Sequence, residues 1–257
     1  MNEPETTTVV AGDASATVAE AAKKPKARSA PKWETEARDR LKAAIRRFSK
    51  PLADLVARDA NEGDTRLLVT DFLCDGLGFD KYADLATEYQ VKGEFADYGL
   101  RIDRELVAFI EVKRVATKLS TRHLRQVEMY AVNEGVEWII LTNGATWQVY
   151  HITGGLPVVI DLALEVDLLG EEPAAHKVGQ LFYLSRESLK KRQSDELWKA
   201  RRATSPASLA QVLVSDPVAE AIRKELWRQT DHRVDTAEIV RLVSDTLLRP
   251  SGLQGSA

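Results

Sequence analysis

Residues 88–113, EYQVKGEFADYGLRIDRELVAFIEVK, decide the fold of this chain. They contain two runs that read as extended strands, residues 95–102 and 105–112, and only Asp103 and Arg104 stand between the runs. Two residues are the usual length of a tight β-hairpin loop. The stretch therefore predicts a pair of antiparallel strands.

The second predicted strand ends near two charged residues, Glu111 and Lys113, which follow the apolar run LVAFI. Side chains alternate between the two faces of a strand, so Glu111 and Lys113 share a face while Val112 points away. Two opposite charges at the edge of a sheet core form a salt bridge, or they are half of a site that holds a metal ion and contacts a phosphate.

Helical patterns precede the hairpin. From Trp33 onward the apolar side chains have helical spacing, and Pro51 is expected to begin a second helical segment. A third helix is predicted over residues 63–74, with Gly76 and Gly78 forming a left-handed cap.

A helix and two strands are predicted after the hairpin. Ser120 and Thr121 open the helix. EWIILTNG (137–144) reads as a buried strand that ends at its Asn-Gly pair, and TWQVYHI (146–152) reads as a second strand. The order of helix, two or three antiparallel strands, helix, strand and strand indicates an α/β fold.

The composition along the chain predicts three parts. Residues 1–32 are rich in Ala, Thr, Pro and Lys, which is typical of a disordered tail. Residues 33–170 form the predicted folded domain, and residues 171–257 form a helical accessory region in which Asp216 and Asp235 start helices.

Composition also excludes several classes of protein. The 257 residues are 44% apolar and 29% charged, as in soluble globular chains, and no stretch approaches the roughly 18 uncharged apolar residues of a membrane span. The first residues do not resemble a secretory signal, so we expect a cytoplasmic protein without a membrane partner. A single cysteine and four scattered histidines argue against disulfide frameworks and structural zinc. The net charge of −3 argues against a non-specific nucleic-acid coat but is compatible with a local basic cleft.

Asp97 in the first predicted strand adds a second carboxylate to Glu111 and Lys113. Pairing of the two strands can bring the three side chains together, although the sequence does not fix the register. Mg²⁺ prefers hard oxygen ligands, and a cation beside a phosphate offsets the negative charge that grows during its attack. This combination is typical of metal-dependent phosphodiester cleavage.

The helix after the hairpin carries Gln126 and Tyr130, which are four residues apart and so lie on one side. A glutamine amide both donates and accepts hydrogen bonds, which suits holding a lysine or a phosphate. The alternative is that Tyr130 is a core aromatic and Gln126 a surface residue.

Together these residues resemble the PD-(D/E)xK nuclease superfamily. More narrowly, they are similar to the nuclease domain at the N-terminus of type I restriction motor subunits and to stand-alone predicted restriction endonucleases. The resemblance covers roughly residues 60–152 and is carried by Asp97-Tyr98, Ile110-Glu111-Val112-Lys113, Gln126, Tyr130, Leu141-Thr142-Asn143-Gly144, Trp147 and Tyr150.

The resemblance implies a restriction-endonuclease-like core, which is a mixed β-sheet flanked by helices, here with a helical C-terminal extension. It implies that Asp97 and Glu111 hold Mg²⁺, with Mn²⁺ as a substitute, and that Lys113 serves the attacking water. Gln126 would steady the site, and Tyr130 would support it.

An acid on the preceding helix is also implied. Glu62 is the best match, and Glu88 competes with it. Ala96 stands where the family often has proline, which does not touch the metal chemistry. The chain has no GxxxxGK[ST] loop, so no ATP-driven motor is expected.

The sequence thus favours a metal-dependent endonuclease that acts on DNA in restriction or defence, as a homodimer or with an unseen protein partner. Four basic residues near the site either contact DNA phosphates, which would make binding salt-sensitive, or form an ordinary solvated surface: Arg114, Lys118, Arg122 and Arg125.

The alternative is a non-catalytic module that keeps the nuclease fold and binds DNA or another protein. Its basic segments would be KKRQ (190–193) and KARR (199–202) in the C-terminal helices.

Overall fold

The computed structural model describes residues 30–91, 94–154 and 158–247. Within them, six strands form one mixed sheet in the order β1-β2-β3-β4-β5-β6. Among these strands β3 and β4 pair in parallel, and the other neighbouring pairs are antiparallel. The strands are β1 (Leu85–Val91), β2 (Glu94–Ile102), β3 (Glu105–Val112), β4 (Trp138–Thr142), β5 (Thr146–Thr153) and β6 (Val159–Asp167). The predicted α/β class is confirmed.

The predicted hairpin consists of β2 and β3. Its connecting residues, Asp103 and Arg104, have φ angles of 51° and 76°. Positive φ at both loop positions is the mark of a type I′ turn, whose twist matches that of the flanking strands.

A β-bulge interrupts the hairpin between Leu100 and Arg101. Next to the turn Arg101 pairs with Leu106, whereas beyond the bulge Leu100 pairs with Ala108. The register is thus shifted by one residue, and such a shift changes which side chains of the two strands share a face. The turn and the bulge together decide which residues meet farther along the hairpin.

Helix α3 (Leu124–Glu134) carries the chain from β3 to the parallel strand β4. A 3-10 turn at Thr121–His123 precedes it, and the left-handed Gly135 ends it. The helix that was predicted to open at Ser120 is therefore present, and it buries the apolar face that contains Val127 and Ala131.

Strand β6 extends the sheet beyond the sequence prediction. It pairs with β5. Among the described residues of β6, the buried ones are Ala163, Leu164 and Val166. Because acidic residues occupy much of the rest, the apolar alternation that predicts a strand is weak here.

Helix α1 (Lys32–Ala57) continues through Pro51, so the predicted break at this proline is wrong. A proline inside a helix costs about 3 kcal/mol. Leu52 and Leu55 on the far side of it are buried, and burying two leucines contributes about 3–6 kcal/mol. Core packing therefore outweighs the local cost.

Helix α2 (Glu62–Asp75) matches the third predicted helix, and the Asn61 side chain caps it by accepting a hydrogen bond from the Asp64 N–H. The predicted cap needs a correction. Gly76 has right-handed backbone angles, and the left-handed glycine is Gly78, with φ of 82°.

Two apolar layers cover the sheet. One contains Phe72 of α2, Ile110 of β3 and Trp147 of β5, and the other contains Phe109 of β3 and Val127 of α3. Neighbouring residues of β3 thus point into different layers, as the alternation of a strand requires.

The predicted C-terminal helical region is helical through its described part, and a π-helical turn at Val243–Leu247 ends that part. Both predicted helix starts are confirmed, because α8 begins at Asp216 and the Asp235 side chain caps α9. The helices are α4 (Ala174–Leu181), α5 (Arg186–Lys190), α6 (Gln193–Ala203), α7 (Pro206–Leu213), α8 (Asp216–Thr230) and α9 (Thr236–Leu242).

Two ion pairs tie α5 to the earlier part of the chain. Arg186 lies 2.6 Å from the buried Asp84, and Arg40 of α1 lies 2.7 Å from Glu187.

The predicted domain boundary at residue 170 stays a prediction, and residues 1–29 of the predicted tail lie outside the described residues. Within the described chain, no helix is long and apolar enough to cross a membrane.

Gly78 in the α2–β1 connection has a left-handed backbone and lies against Arg40. A Cβ atom there would lie 2.5 Å from Nη2 of Arg40. That guanidinium donates hydrogen bonds to the carbonyls of Gly76 and Leu77 and to the Glu187 carboxylate. Gly78 therefore provides both the left-handed backbone and the space for Arg40.

We expect Gly78→Ala to lower the free energy of unfolding by more than Gly135→Ala. Both glycines have positive φ, and a side chain in that conformation costs about 1–2 kcal/mol. At Gly135 a new Cβ meets nothing within 4 Å, whereas at Gly78 it displaces Arg40. The measurement is urea unfolding of both variants. Equal losses of unfolding free energy would show that displacing Arg40 costs no stability.

Candidate active site

Three predicted site residues meet where β3 ends beside β2. Continued by one residue, the register that pairs Tyr98 with Ile110 sets Asp97 opposite Glu111. The Lys113 Nζ lies 2.5 Å from Oε1 of Glu111. The structure thus brings Asp97, Glu111 and Lys113 together, while their catalytic roles stay predictions.

Both carboxylates of this group are withdrawn from water. The side chains of Asp97 and Glu111 are 10% and 9% exposed, and that of Lys113 is 23% exposed. Oδ2 of Asp97 accepts a 2.7 Å hydrogen bond from the Val112 N–H, and the Lys113 N–H donates to the Thr142 carbonyl at 2.8 Å. Strands β2 and β4 therefore hold the end of β3 from both sides.

Arg66 of α2 completes the group, and the sequence prediction did not include it. Its Nη2 contacts Oδ1 of Asp97 and lies 3.9 Å from Oε1 of Glu62. Glu62 and Arg66 are four residues apart, so helical spacing predicts that they lie on one face. Nothing in the sequence, however, shows that this face turns toward Asp97.

Hydrogen bonds dock α2 against the ends of the strands. The hydroxyls of Thr70 and Tyr98 are 2.8 Å apart, and Tyr98 directly follows Asp97. The Val115 N–H donates to Oγ1 of Thr65 at 3.1 Å. Helix α2 therefore fixes both β2 and the segment that follows β3.

Of the two candidate third acids, Glu62 is the one near the site. It is the first residue of α2, its side chain is 44% exposed, and its charge raises the pKa of both Asp97 and Glu111. Glu88 lies on β1 and is exposed, and it is not among the charges that shift either carboxylate.

Burial dominates the electrostatics of the two carboxylates. It raises the pKa of Asp97 and of Glu111 above their ordinary values, and the charge of Asp97 raises the pKa of Glu111 further. Hydrogen bonds from the Val112 N–H and from Lys113 oppose these shifts without cancelling them. Burial therefore disfavours the charged form of both carboxylates.

Lys113 is fixed as a cation. Burial lowers its pKa, but the hydrogen bond to Glu111 and the surrounding carboxylates outweigh burial, so the net pKa is raised. At neutral pH Lys113 is consequently an ammonium group that donates hydrogen bonds, and it is not a free base.

The other two predicted residues lie on α3. Tyr130 is 2% exposed, and its ring packs edge-on against Phe109 at 6.2 Å between centroids. Gln126 belongs to the same helix, and its side chain lies outside the described residues. The roles predicted for both residues stay predictions.

The predicted basic residues follow β3 in the chain. Arg114 pairs with Asp59 at 3.2 Å. Lys118, Arg122 and Arg125 are exposed, and none of them forms an ion pair within the described part of the chain. Their positive charge therefore faces solvent.

The donor set suits one hard divalent ion. Mg²⁺ in proteins is often held by one or two carboxylates, with water and phosphate completing its shell. Asp97 and Glu111 provide such a pair, and burial raises the pKa of both carboxyl groups. In the described residues, no three His, Cys, Asp or Glu side chains form a group that could hold a metal, and the supporting role predicted for Glu62 stays a prediction.

We expect Glu111→Gln to be more stable than the wild type at neutral pH in the presence of EDTA. Because the folded-state pKa of Glu111 is raised, its contribution to stability is present below the unfolded-state pKa and is lost as pH rises through the folded-state pKa. A neutral glutamine avoids that loss and still accepts a hydrogen bond from Lys113.

Thermal unfolding from about pH 8 down to about pH 4, a range that spans the titration of carboxyl groups, measures this difference. The gain should shrink as pH falls and the wild type protonates Glu111. The exposed Glu134→Gln is the control and should change little at any pH. A gain that is independent of pH would contradict the expectation.

Comparison with known proteins bears on the same part of the chain. Residues 61–156 match the family described as type I restriction enzyme R protein N terminus. No curated protein and no solved structure matches the chain. The matched residues run from α2 to β5 and include Asp97, Glu111 and Lys113. This part of the chain is therefore similar to the N-terminal domain of type I restriction enzyme R proteins, which indicates a restriction-type nuclease domain.

Proposed function

We propose that this protein is a metal-dependent endonuclease that hydrolyses phosphodiester bonds in DNA. The observation that carries the proposal is the buried pair Asp97 and Glu111 with Lys113 in contact, inside the region similar to restriction enzyme R proteins. A plain salt bridge needs one carboxylate, whereas this site places two carboxylates where burial disfavours their charge.

Asp97 and Glu111 would hold the metal ion. When bound, Mg²⁺ supplies a Lewis acid for the phosphate and lowers the pKa of a coordinated water. Lys113 keeps one N–H on Glu111 and has two further donors, which orient the attacking water and stabilise charge on the phosphate. Burial of the site strengthens each of these interactions.

DNA would approach along the segment after β3. Lys118, Arg122 and Arg125 present positive charge to solvent within 12 residues of Lys113 in the chain and would contact the phosphate backbone, which makes binding salt-dependent. These contacts fix the position of the duplex without reading its sequence.

The non-catalytic alternative is less well supported by the C-terminal helices. Lys190 pairs with Asp103, and Arg192 pairs with Asp195. Arg201 donates to the Ala163 carbonyl and to the Gln180 side chain. Much of the basic charge that would bind DNA in this alternative is thus engaged within the chain.

The first test is cleavage of supercoiled plasmid and of single-stranded DNA by the purified protein with Mg²⁺ or Mn²⁺. We expect cleavage by the wild type and a loss of at least about 100-fold in Asp97→Ala and in Lys113→Ala, the loss typical when a charge-stabilising group is removed. Lys190→Ala is the matched control, because Lys190 pairs with Asp103 at the hairpin turn, and it should cleave normally.

Two results would count against the proposal. Cleavage that survives in Asp97→Ala would place the chemistry elsewhere. DNA binding without cleavage by any variant, and unchanged by the two substitutions, would support the non-catalytic module.

A further inference from the structure

Each carboxylate oxygen of Asp97 already has one partner, and Arg66 is the partner of Oδ1. The Val112 N–H holds Oδ2 at 2.7 Å, whereas Nη2 of Arg66 contacts Oδ1. A divalent ion that binds Asp97 through Oδ1 would lie beside the guanidinium, and the like charges would repel each other. Even at the dielectric constant of water, such repulsion over about 4 Å weakens metal binding more than tenfold.

Arg66 also has a second carboxylate within reach. The same Nη2 lies 3.9 Å from Oε1 of Glu62, one helical turn away. The Glu62 side chain is 44% exposed, so it can turn toward Arg66 with little loss of packing. One nitrogen of the guanidinium therefore already lies near both carboxylates.

The contact of Arg66 with Asp97 is incomplete. The Nε of Arg66 is buried and has no hydrogen-bond partner among the described residues. The backbone of Arg66 is fixed, however, because its carbonyl accepts hydrogen bonds from the hydroxyls of Thr70 and Tyr98. The side chain can thus move while the helix stays in place.

Resting on the proposed function, we propose that Arg66 is a displaceable counter-cation of the site. It neutralises Asp97 in the metal-free protein and moves to Glu62 when Asp97 binds a divalent cation. Glu62 is then a positioning residue that receives Arg66, and it is not a metal ligand. The arrangement lets two buried carboxylates persist without metal and sets the cation concentration at which the site loads.

The test is calorimetric titration of the full chain with Mn²⁺. Arg66→Gln should bind Mn²⁺ at least about tenfold more tightly than the wild type, because the competing charge is gone. Arg66→Met keeps the aliphatic stem and serves as a second variant, and thermal unfolding checks that both are folded. Arg58→Gln is the control, because Arg58 pairs with Asp64 of α2, the helix that also carries Arg66. This substitution should leave the affinity for Mn²⁺ unchanged.

Glu62→Gln separates the two roles of Glu62 in a double-mutant cycle. If Glu62 receives Arg66, Glu62→Gln weakens Mn²⁺ binding in the wild type but has no effect in the Arg66→Gln background. If Glu62 is a metal ligand, the same loss appears in both backgrounds, and the assignment to Glu62 is overturned.

The outcomes distinguish this inference from the proposed function. Equal or weaker binding by Arg66→Gln, with a wild type that binds Mn²⁺ and cleaves DNA, overturns the inference alone. No binding by either protein, together with no cleavage, overturns both. Binding by Arg66→Gln where the wild type binds none supports the inference in its strongest form.

Discussion

The register of the β2–β3 hairpin is the constraint on which the rest of the structure depends. The type I′ turn at Asp103 and Arg104 starts the pairing, and the bulge after Leu100 shifts it by one residue. Without that shift Asp97 would lie opposite Ile110, on the other face from Glu111. A local irregularity in the backbone therefore decides whether the two carboxylates meet.

Bringing these carboxylates together has an electrostatic cost, and cations from neighbouring segments offset it. Burial disfavours the charge on Asp97 and Glu111, and a buried charge is tolerated only when it is paired and hydrogen-bonded. Lys113 directly follows β3, whereas Arg66 comes from α2, which Thr70 and Thr65 hold against the strand ends. The position of one helix thus sets the charge balance of the site.

The C-terminal helices contribute to the fold through ion pairs that reach back along the chain. Arg186 compensates the buried Asp84, which lies just before β1, and Glu187 binds Arg40. Because Arg40 also bonds the carbonyls that follow α2, the accessory helices are linked to the end of the helix that carries Arg66. Part of the charge in these helices therefore supports the core instead of facing a partner.

The sequence by itself determined the local features: the hairpin with its two-residue loop, helix α2, the strand that ends at Asn143 and Gly144, and the shared face of Glu111 and Lys113. These follow from spacing and turn chemistry within a few residues. Only the tertiary structure decided the continuity of α1 at Pro51, the addition of β6 and the contact of Arg66 with Asp97. Each of these depends on packing or charge between segments distant in the chain, and the energy of such contacts leaves no local signal in the sequence.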